Sequence, residues 1–315
     1  MMKKPIPSIY ALLLSLCVSV CPAWGKGATT GSWAFDSENT VIGFSKTYVI
    51  KGGESLIELA PEFDVGYNEI VEANPGVDPW VPGRGTVINI PSFKVLPNAP
   101  PEGIVINLAE MRLYYYFKPH DKRKEDMFQD DDLRIISFPV GIGIEGFNTP
   151  VGEFYIQQKI KDPAWYVPAS IRKEHPELPA EVPPGTDNPL GPYALRLSDP
   201  SYLIHGTNRP FGIGRMASHG CIRMYNKDIK RLFNMVRRGT PVNIIYQPVK
   251  VGRKDGNIYL EVHRDYLLKL RNPGSVINAR LESLVNFLPV NKKLLRQALK
   301  NKTGMPVMIT EHPRF

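Results

Sequence analysis

The sequence predicts a mostly β protein with α+β additions, one of them a small strand–helix–helix–strand unit near its start. Three observations point there. Short runs of β-branched and aromatic residues recur at 103–117, 133–160, 193–205 and 240–246. Thirty prolines among 315 residues punctuate those runs and favour fixed turns over long helices. Within that region only residues 226–239 carry a clear helical apolar face, made by Ile229, Leu232, Phe233 and Val236. The apolar fraction, 43%, is ordinary for a globular chain, and the length suits two domains or one with additions.

Residues 1–25 predict a secretory signal. Lys3 and Lys4 precede an apolar core at 10–20, shorter than the roughly 20 residues a spanning helix needs. Ala23 and Gly25 offer small residues for cleavage. Leu16 and Val20, which precede Cys17 and Cys21, are not the small residues a lipoprotein box requires. No later run is long and apolar enough for a transmembrane span, so the mature protein is expected to be exported. Cleavage would leave Cys221 as the only cysteine in an oxidising compartment, where cysteines usually pair. A lone exported cysteine is a buried inert residue, an intermolecular bridge or a reactive thiol.

Along the chain, residues 32–46 read as a polar lead-in. Residues 46–92 form a compact unit. Tyr48, Val49 and Ile50 are strand-like, Gly52 and Gly53 turn the chain, and a short helix begins around Ser55, Ile57 and Leu59. A second helix at 68–73 is stopped by Asn74-Pro75-Gly76, and residues 86–90 alternate as a closing strand. Residues 92–101 read as a proline-punctuated linker. A turn at Ala109-Glu110 joins two strands, the second with three successive tyrosines whose alternate rings should be buried. Residues 120–132 are charged and predict an exposed loop. Residues 141–150 are glycine-rich, but no helix-forming run follows, so they are not a nucleotide fingerprint.

Residues 162–192 are proline-rich without a regular period, as a lid or binding loop would be, with Trp165 and Tyr166 as candidate contacts. Asn226 reads as the N-cap of the one clear helix, with Asp228 in its first turn, and Gly239 as its end. Residues 250–315 read as an appendage with a strand at 257–262 and helical spacing over 281–299, which would pack on the rest or bind a partner. The net charge of +8 suits a polyanionic partner. The basic residues are scattered and no nucleic-acid motif is present, so nucleic acid is not an expected partner.

Function concentrates at residues 202–224, Y-L-I-H-G-T-N-R-P-F-G-I-G-R-M-A-S-H-G-C-I-R-M, which hold two of the six histidines, His205 and His219, with Cys221. A strand delivers His205, a glycine-rich loop follows, and Ser218-His219-Gly220-Cys221 closes it. A free thiol has a pKa near 8.5, so an imidazole that takes its proton and later returns it to a leaving amine would make it an effective nucleophile. His205 suits that role. His219, two residues from Cys221, would share its side in an extended segment, so spacing alone leaves the base open. Backbone N–H groups around Gly220 and Cys221 offer an oxyanion site.

Three other readings compete. Zinc would accept His205, His219 and Cys221, but no second cysteine or paired histidine spacing supports it, and no cofactor or metal is expected. A buried structural cysteine fits poorly between glycines. A serine peptidase would use Ser170-Ile171-Arg172-Lys173 and Lys302-Thr303-Gly304, but the intermediate motif is missing and the flanking structure is wrong.

Two resemblances sharpen the reading. The unit at 46–92, through Y-x-I-K-x-G-E-S-L, E-A-N-P and V-x-x-I-P, resembles a LysM module, which implies binding to glycans such as peptidoglycan. Gly53 stands where that opening turn usually has aspartate. H-G-T-N followed by S-H-G-C-I-R resembles the signature of YkuD-type L,D-transpeptidases. With A-E-M-R-L-Y-Y-Y, D-N-P-L-G-P-Y-A-L and F-G-I-G it is similar to the ErfK/YbiS/YcfS/YnhG group of periplasmic enzymes.

The resemblance implies a β-sandwich or barrel-like catalytic domain, expected over 99–247. It implies Cys221 as nucleophile, His205 as base and acid, and Gly206 orienting His205. Ser218, His219, Gly220 and Arg223 would complete the site. It implies cleavage of the diaminopimelate–D-Ala bond of peptidoglycan stems and sensitivity to carbapenems. The acceptor would be the C-terminal lysine of a Braun-type lipoprotein, a second stem (a 3→3 cross-link) or water. The rival reading is a LysM protein whose catalytic domain only holds glycan.

Overall fold

The structure is a computed structural model that describes residues 31–119, 132–284 and 289–311. The expected signal segment and most of the loop expected at 120–132 lie outside the described residues.

Nine strands form one sheet in the order Trp33–Ala34, Arg134–Pro139, Arg112–Phe117, Gly103–Asn107, Pro241–Ile245, Gly152–Lys161, Tyr193–Leu197, Leu203–His205, Ile222–Arg223. Neighbours are antiparallel except for two parallel pairs, Gly103–Asn107 with Pro241–Ile245 and Leu203–His205 with Ile222–Arg223. The β-rich class predicted from the sequence is the one found. One face packs Ile104, Ile106, Leu113, Phe138, Leu195, Ile204 and Ile222 against Ile229 and Leu232 of the helix Asn226–Met235. The opposite face carries Val105, Tyr114, Tyr116 and Ile135 under Ile42, Leu96, Trp33 and Phe35.

This second layer corrects two expectations. The lead-in is not merely polar: Trp33–Ala34 is the edge strand, with Trp33 opposite Ile135, and Val41–Ile42 pairs with Lys94–Val95 of the expected linker. Two-residue strands carry no period for a sequence to display. These segments bury Tyr114 and Tyr116, while Tyr115 is buried in the core on the other face, so all three rings are buried, not just alternate ones.

The small unit is a hairpin-like pair, Lys46–Val49 against Val87–Ile90, enclosing the helices Leu56–Glu62 and Tyr67–Glu72. Ser55 caps the first helix: its Oγ accepts from the Glu58 N–H at 3.3 Å while the Glu58 carboxylate accepts from the Ser55 N–H at 3.0 Å. Asn74 ties the second helix to the closing strand, donating to the Ile70 and Asn89 carbonyls and accepting from the Asn89 N–H. Ile50, Leu56, Leu59, Ile70, Ile88 and Ile90 fill its core.

The unit is locked to the large sheet. Tyr67 and Asn68, in the first turn of the second helix, donate their N–H groups to the carbonyls of Ile213 and Gly214 at 3.1 and 3.2 Å. Gly66 and Gly214 lie back to back; a methyl on Gly214 would sit 2.4 Å from the Gly66 Cα. The Arg215 guanidinium lies 3.8 Å over the Tyr67 ring. Below this contact, buried Glu69 receives Lys94 at 2.6 Å and Arg112 at 2.9 Å. Burial pushes the Glu69 carboxyl up, but Arg112 and Lys94 outweigh it and hold the group below its usual range. Glu69→Ala leaves two buried cations without their anion and is expected to destabilise the fold by about 3–5 kcal/mol. Chemical denaturation measures this; a loss under about 1 kcal/mol would show the network to be dispensable.

Residues after 248 form a third layer. Val249–Lys254 and Asn257–Val262 make a hairpin joined by Val307–Met308 and covered by the helices Pro273–Leu284 and Lys292–Asn301. Sequence periodicity found only the second hairpin strand and ran one helical stretch through 281–299. In the structure Pro289 precedes a fresh helix capped by Asn291, whose side chain accepts from the Lys293 and Leu294 N–H groups. Glu110, Glu261 and His263 converge here as metal-ligand types. Lys250 meets both acids, its Nζ 2.8 Å from Glu110 and from Glu261. Among the described residues no helix is long and apolar enough to cross a membrane.

Candidate active site

His205 ends the strand Leu203–His205, and Cys221 immediately precedes Ile222–Arg223, the parallel strand beside it. The register pairs Ile204 with Ile222 and His205 with Arg223. Ile204 and Ile222 point into the core. Alternation along a strand therefore turns His205 and Arg223 to the opposite face, and Cys221, two residues before Arg223, to that same face. On the other side Ala194, opposite His205, and Arg196, opposite Leu203, extend this face. The glycine-rich loop between His205 and Cys221 carries regular structure of its own. Pro210–Gly212 makes one turn of 3₁₀ helix, and Met216–Ser218 pairs in parallel with Ile142–Gly143.

His205 is buried, and its Nδ1 lies 2.6 Å from the Gly206 carbonyl. A carbonyl only accepts, so Nδ1 carries the proton and Nε2 is left as the basic nitrogen. Gly206 is tightly enclosed: a methyl there would meet the Asn226 Oδ1 at 2.4 Å. Burial and then the charge of Arg223 pull the His205 pKa down to about 4, against backbone hydrogen bonds at Gly206 and Leu190 that favour the charged ring. The imidazole is therefore neutral at neutral pH.

Cys221 is unpaired and half-buried, its Sγ 3.8 Å from the Ser201 carbonyl. Burial pushes the thiol up, while a hydrogen bond from the Leu203 backbone and the charges of Arg223 and Arg196 pull it down; the net effect is upward. Thiol and imidazole are thus both held toward their neutral forms. The Ser218 Oγ donates to the Cys221 carbonyl at 2.5 Å. Gly220 has φ +100, a conformation that favours glycine, and its carbonyl accepts from the Thr149 Oγ1 at 2.9 Å. Thr149 in turn accepts from the Gly143 N–H at 3.0 Å. With the Gly220 carbonyl turned to Thr149, the Cys221 N–H on the same planar peptide points the other way.

His219 lies apart from His205. It is exposed, meets the Phe147 ring edge-on at 4.6 Å between centroids, and has its Nε2 3.8 Å from Glu174. The left-handed Gly220 between them breaks the extended geometry that would have put His219 and Cys221 on one side. Glu174 belongs to the helix Ala169–Glu174, so the proline-rich segment reaches the site. That segment is less irregular than its sequence suggests: Trp165–Tyr166 also pairs with Glu181–Val182. Tyr166 is exposed and Trp165 half-buried.

Sequence reasoning missed several contributors. Asn226 is not the helix N-cap. Tyr225 holds that position, and the Asn226 Oδ1 accepts from the Thr207 N–H at 2.8 Å, pinning the chain just past His205. Helix Asn226–Met235 also ends before Gly239, which turns the chain toward the last strand. Thr149, Phe147 and Glu174 come from segments whose patterns carry no chemistry of their own. Gly191 lies in a stretch quoted for its resemblance, and a methyl there would meet the Asn226 Oδ1 and the Thr207 N at 2.7 Å.

Comparison with known proteins places this arrangement. The model of the YkuD family, the L,D-transpeptidase catalytic domain, matches residues 101–244. The chain is 38% identical over 286 residues to the probable L,D-transpeptidase YcfS of Escherichia coli (strain K12), covering 86% of each protein. It is 39% identical over 291 residues to the probable L,D-transpeptidase YbiS of the same strain, covering 85% of this chain and 88% of that one. Among solved structures, the catalytic domain of an E. faecium L,D-transpeptidase aligns at 21% identity and a TM-score of 0.34, over 47% of this chain and 100% of that one.

The protein is an enzyme of the L,D-transpeptidase class. The chain belongs to the YkuD family.

Proposed function

We propose that the enzyme works by acyl transfer through Cys221 on peptidoglycan stems, after export to the periplasm. The observation that carries this reading is the shared face of His205 and Cys221, set by the pairing of Ile204 with Ile222, with Gly206 fixing the tautomer that leaves Nε2 basic. In the first half-reaction the Cys221 sulfur attacks the carbonyl of the diaminopimelate at position three of a tetrapeptide stem, and its proton passes to His205. The Cys221 N–H, aimed away from Thr149, supports the tetrahedral oxyanion. The intermediate collapses by breaking the C–N bond. His205 returns the proton to the leaving D-Ala amine, and a thioester remains. In the second half-reaction an acceptor amine attacks the thioester, gives up a proton through His205, and releases the thiol.

In this reading Ser218 and Gly220 hold the peptide of Cys221, while His219 lines the mouth of the site with Glu174 across from it. Residues 46–92 act as a LysM module that holds the glycan. The Tyr67 and Asn68 contacts keep it at a fixed distance from the loop between His205 and Cys221.

The acceptor is the C-terminal lysine of a Braun-type lipoprotein, an assignment supported by similarity along most of the chain to the YcfS and YbiS proteins. Incubating the mature enzyme with disaccharide-tetrapeptide and a lysine-terminated lipoprotein peptide is expected to give the peptide–stem conjugate. Mass spectrometry that found only 3→3 stem dimers would sink the lipoprotein assignment and leave cross-linking as the main reaction.

A further inference from the structure

The layer after residue 248 carries two features that acyl transfer does not use. The first is cationic. The helix Lys292–Asn301 bears Lys292, Lys293, Arg296 and Lys300, with Lys302 just beyond it, and no acidic residue interrupts 289–310. All of these cations are exposed. The four on the helix fall within about 100° of helical arc. Leu294, Leu295, Ala298 and Leu299 fill the opposite arc and pack on the core that holds Ile258 and Leu260. That packing turns the cationic arc outward.

The second feature is apolar. Leu268 is 87% exposed, the most of any large apolar side chain among the described residues, and holds φ +51, a conformation leucine rarely adopts. Asp265 imposes this shape on the loop. Its Oδ1 accepts from the Tyr246 hydroxyl at 2.6 Å and the Lys269 N–H at 3.1 Å, and its Oδ2 from the Leu270 N–H at 2.8 Å. Its carbonyl accepts from the Leu268 N–H at 3.2 Å. A scattered exposed leucine needs no explanation, but one held outward against its backbone preference by a built loop points to a partner. Lys269 and Arg271 flank it, both exposed. Leu270 lines a cavity together with Val276, itself 42% exposed.

Loop and helix adjoin. The Gly304 N–H donates to the Val262 carbonyl at 2.9 Å, which brings the end of the helix beside the start of the loop. Lys302 is close enough to act on Asp265. Burial pushes that carboxyl up, but the hydrogen bonds from Tyr246, Leu270 and Lys269 and then the Lys302 charge hold it below its usual range. The combination defines the partner. A row of cations selects an anionic surface, and an apolar tip among them selects one with an apolar layer just beneath its charge. A carboxylate-bearing glycan mesh offers the charge alone; a bilayer of anionic phospholipid offers both.

We propose that this layer docks the protein peripherally on an anionic phospholipid surface, with Leu268 entering the apolar boundary while Lys269, Arg271, Lys302 and the outer arc of the helix Lys292–Asn301 meet the head groups. The docking is independent of the acyl-transfer reading of Cys221.

The test is flotation of the full mature protein with vesicles. Binding to phosphatidylethanolamine–phosphatidylglycerol vesicles is expected to exceed binding to phosphatidylcholine vesicles by at least about 10-fold and to fall steeply with salt. The triple variant Lys292→Glu, Arg296→Glu, Lys300→Glu is expected to lose about 100-fold in binding. Leu268→Asn, which tolerates the left-handed backbone, is expected to lose about 5- to 10-fold. Both should keep the native thermal unfolding midpoint, which separates lost docking from lost fold. Equal binding to the two vesicle types, or to neither, would overturn the proposal. So would full vesicle binding by Leu268→Asn beside its loss in the triple variant, because the surface would then recognise charge alone. A triple variant that lost only co-sedimentation with peptidoglycan would assign the cations to the cell wall and overturn it as well.

Discussion

With Cys221→Ala, acyl-enzyme formation and turnover of disaccharide-tetrapeptide are expected to vanish, a loss of at least about 10⁴-fold of the kind seen when a covalent nucleophile is removed. The reason is chemical. No other side chain on this face offers a nucleophile: its other members are His205, Arg196, Arg223, Ala194 and Leu203. The fold should be indifferent to the change. The sulfur is half-exposed, and beyond a backbone hydrogen bond with Leu203 it makes only a long 3.8 Å approach to the Ser201 carbonyl. Glycan retention through residues 46–92 is therefore expected to persist in the same variant, read by co-sedimentation with peptidoglycan. Full turnover by the alanine variant would remove the nucleophile assignment. Loss of glycan retention along with turnover would mean that the fold, not the chemistry, had been damaged.

His205→Gln is expected to lower kcat/KM by about 10²- to 10⁴-fold at neutral pH, the usual contribution of a positioned acid–base group. Its pH dependence is more telling than its size. In the native enzyme burial and Arg223 hold the His205 pKa near 4, and burial raises the thiol. The competent state is therefore a neutral thiol beside a neutral imidazole. Activity is expected to fall on the acid side only as His205 takes up a proton, around pH 4. In the glutamine variant the residual rate is expected to climb with pH as thiolate forms unaided.

The same shift acts on stability. His205 is neutral when folded down to about pH 4, whereas in the unfolded chain it titrates near the ordinary histidine value of 6.5. As pH falls from 6.5 toward 4 the unfolded state binds the proton first, and the native enzyme loses about 3 kcal/mol of stability in that window. Stability above pH 6.5 is unaffected by this group. His205→Gln should flatten that part of the curve, measured by urea denaturation across the range. A native acid limb near pH 6.5, with no added acid sensitivity of the fold, would mean that the imidazole is not held as described.

The parts of this molecule that were legible in its sequence are those written locally. The strand entering His205, the turn forced at Gly220 and the Ser218–Cys221 cluster lie within one short stretch, and their residue types declare the chemistry. The helix Asn226–Met235 and the small unit with its Ser55 cap likewise announce themselves through period and punctuation.

What stayed hidden depends on distant partners. Trp33 is a strand residue only because Ile135 lies opposite it, and Lys94 is buried only because Glu69 awaits it. Asn226 sits where a helix cap would be expected, yet its carbonyl oxygen serves Thr207 across a loop. Thr149 and Glu174 reach the site from segments read as a turn and an irregular loop, because tertiary contacts alone give them a role. The charged residues are the extreme case. Glu110, Lys250, Glu261 and His263 look like surface charges along the chain and form a buried cluster in the fold.

The central claim is that Cys221 becomes acylated by a peptidoglycan stem. Intact-protein mass after incubating the mature enzyme with disaccharide-tetrapeptide tests it most directly. The account predicts an adduct equal to the donor less D-Ala, mapped to Cys221 and absent from Cys221→Ala. An unmodified protein after incubation with both the stem and a carbapenem would contradict it and favour the rival reading of a protein that only holds glycan.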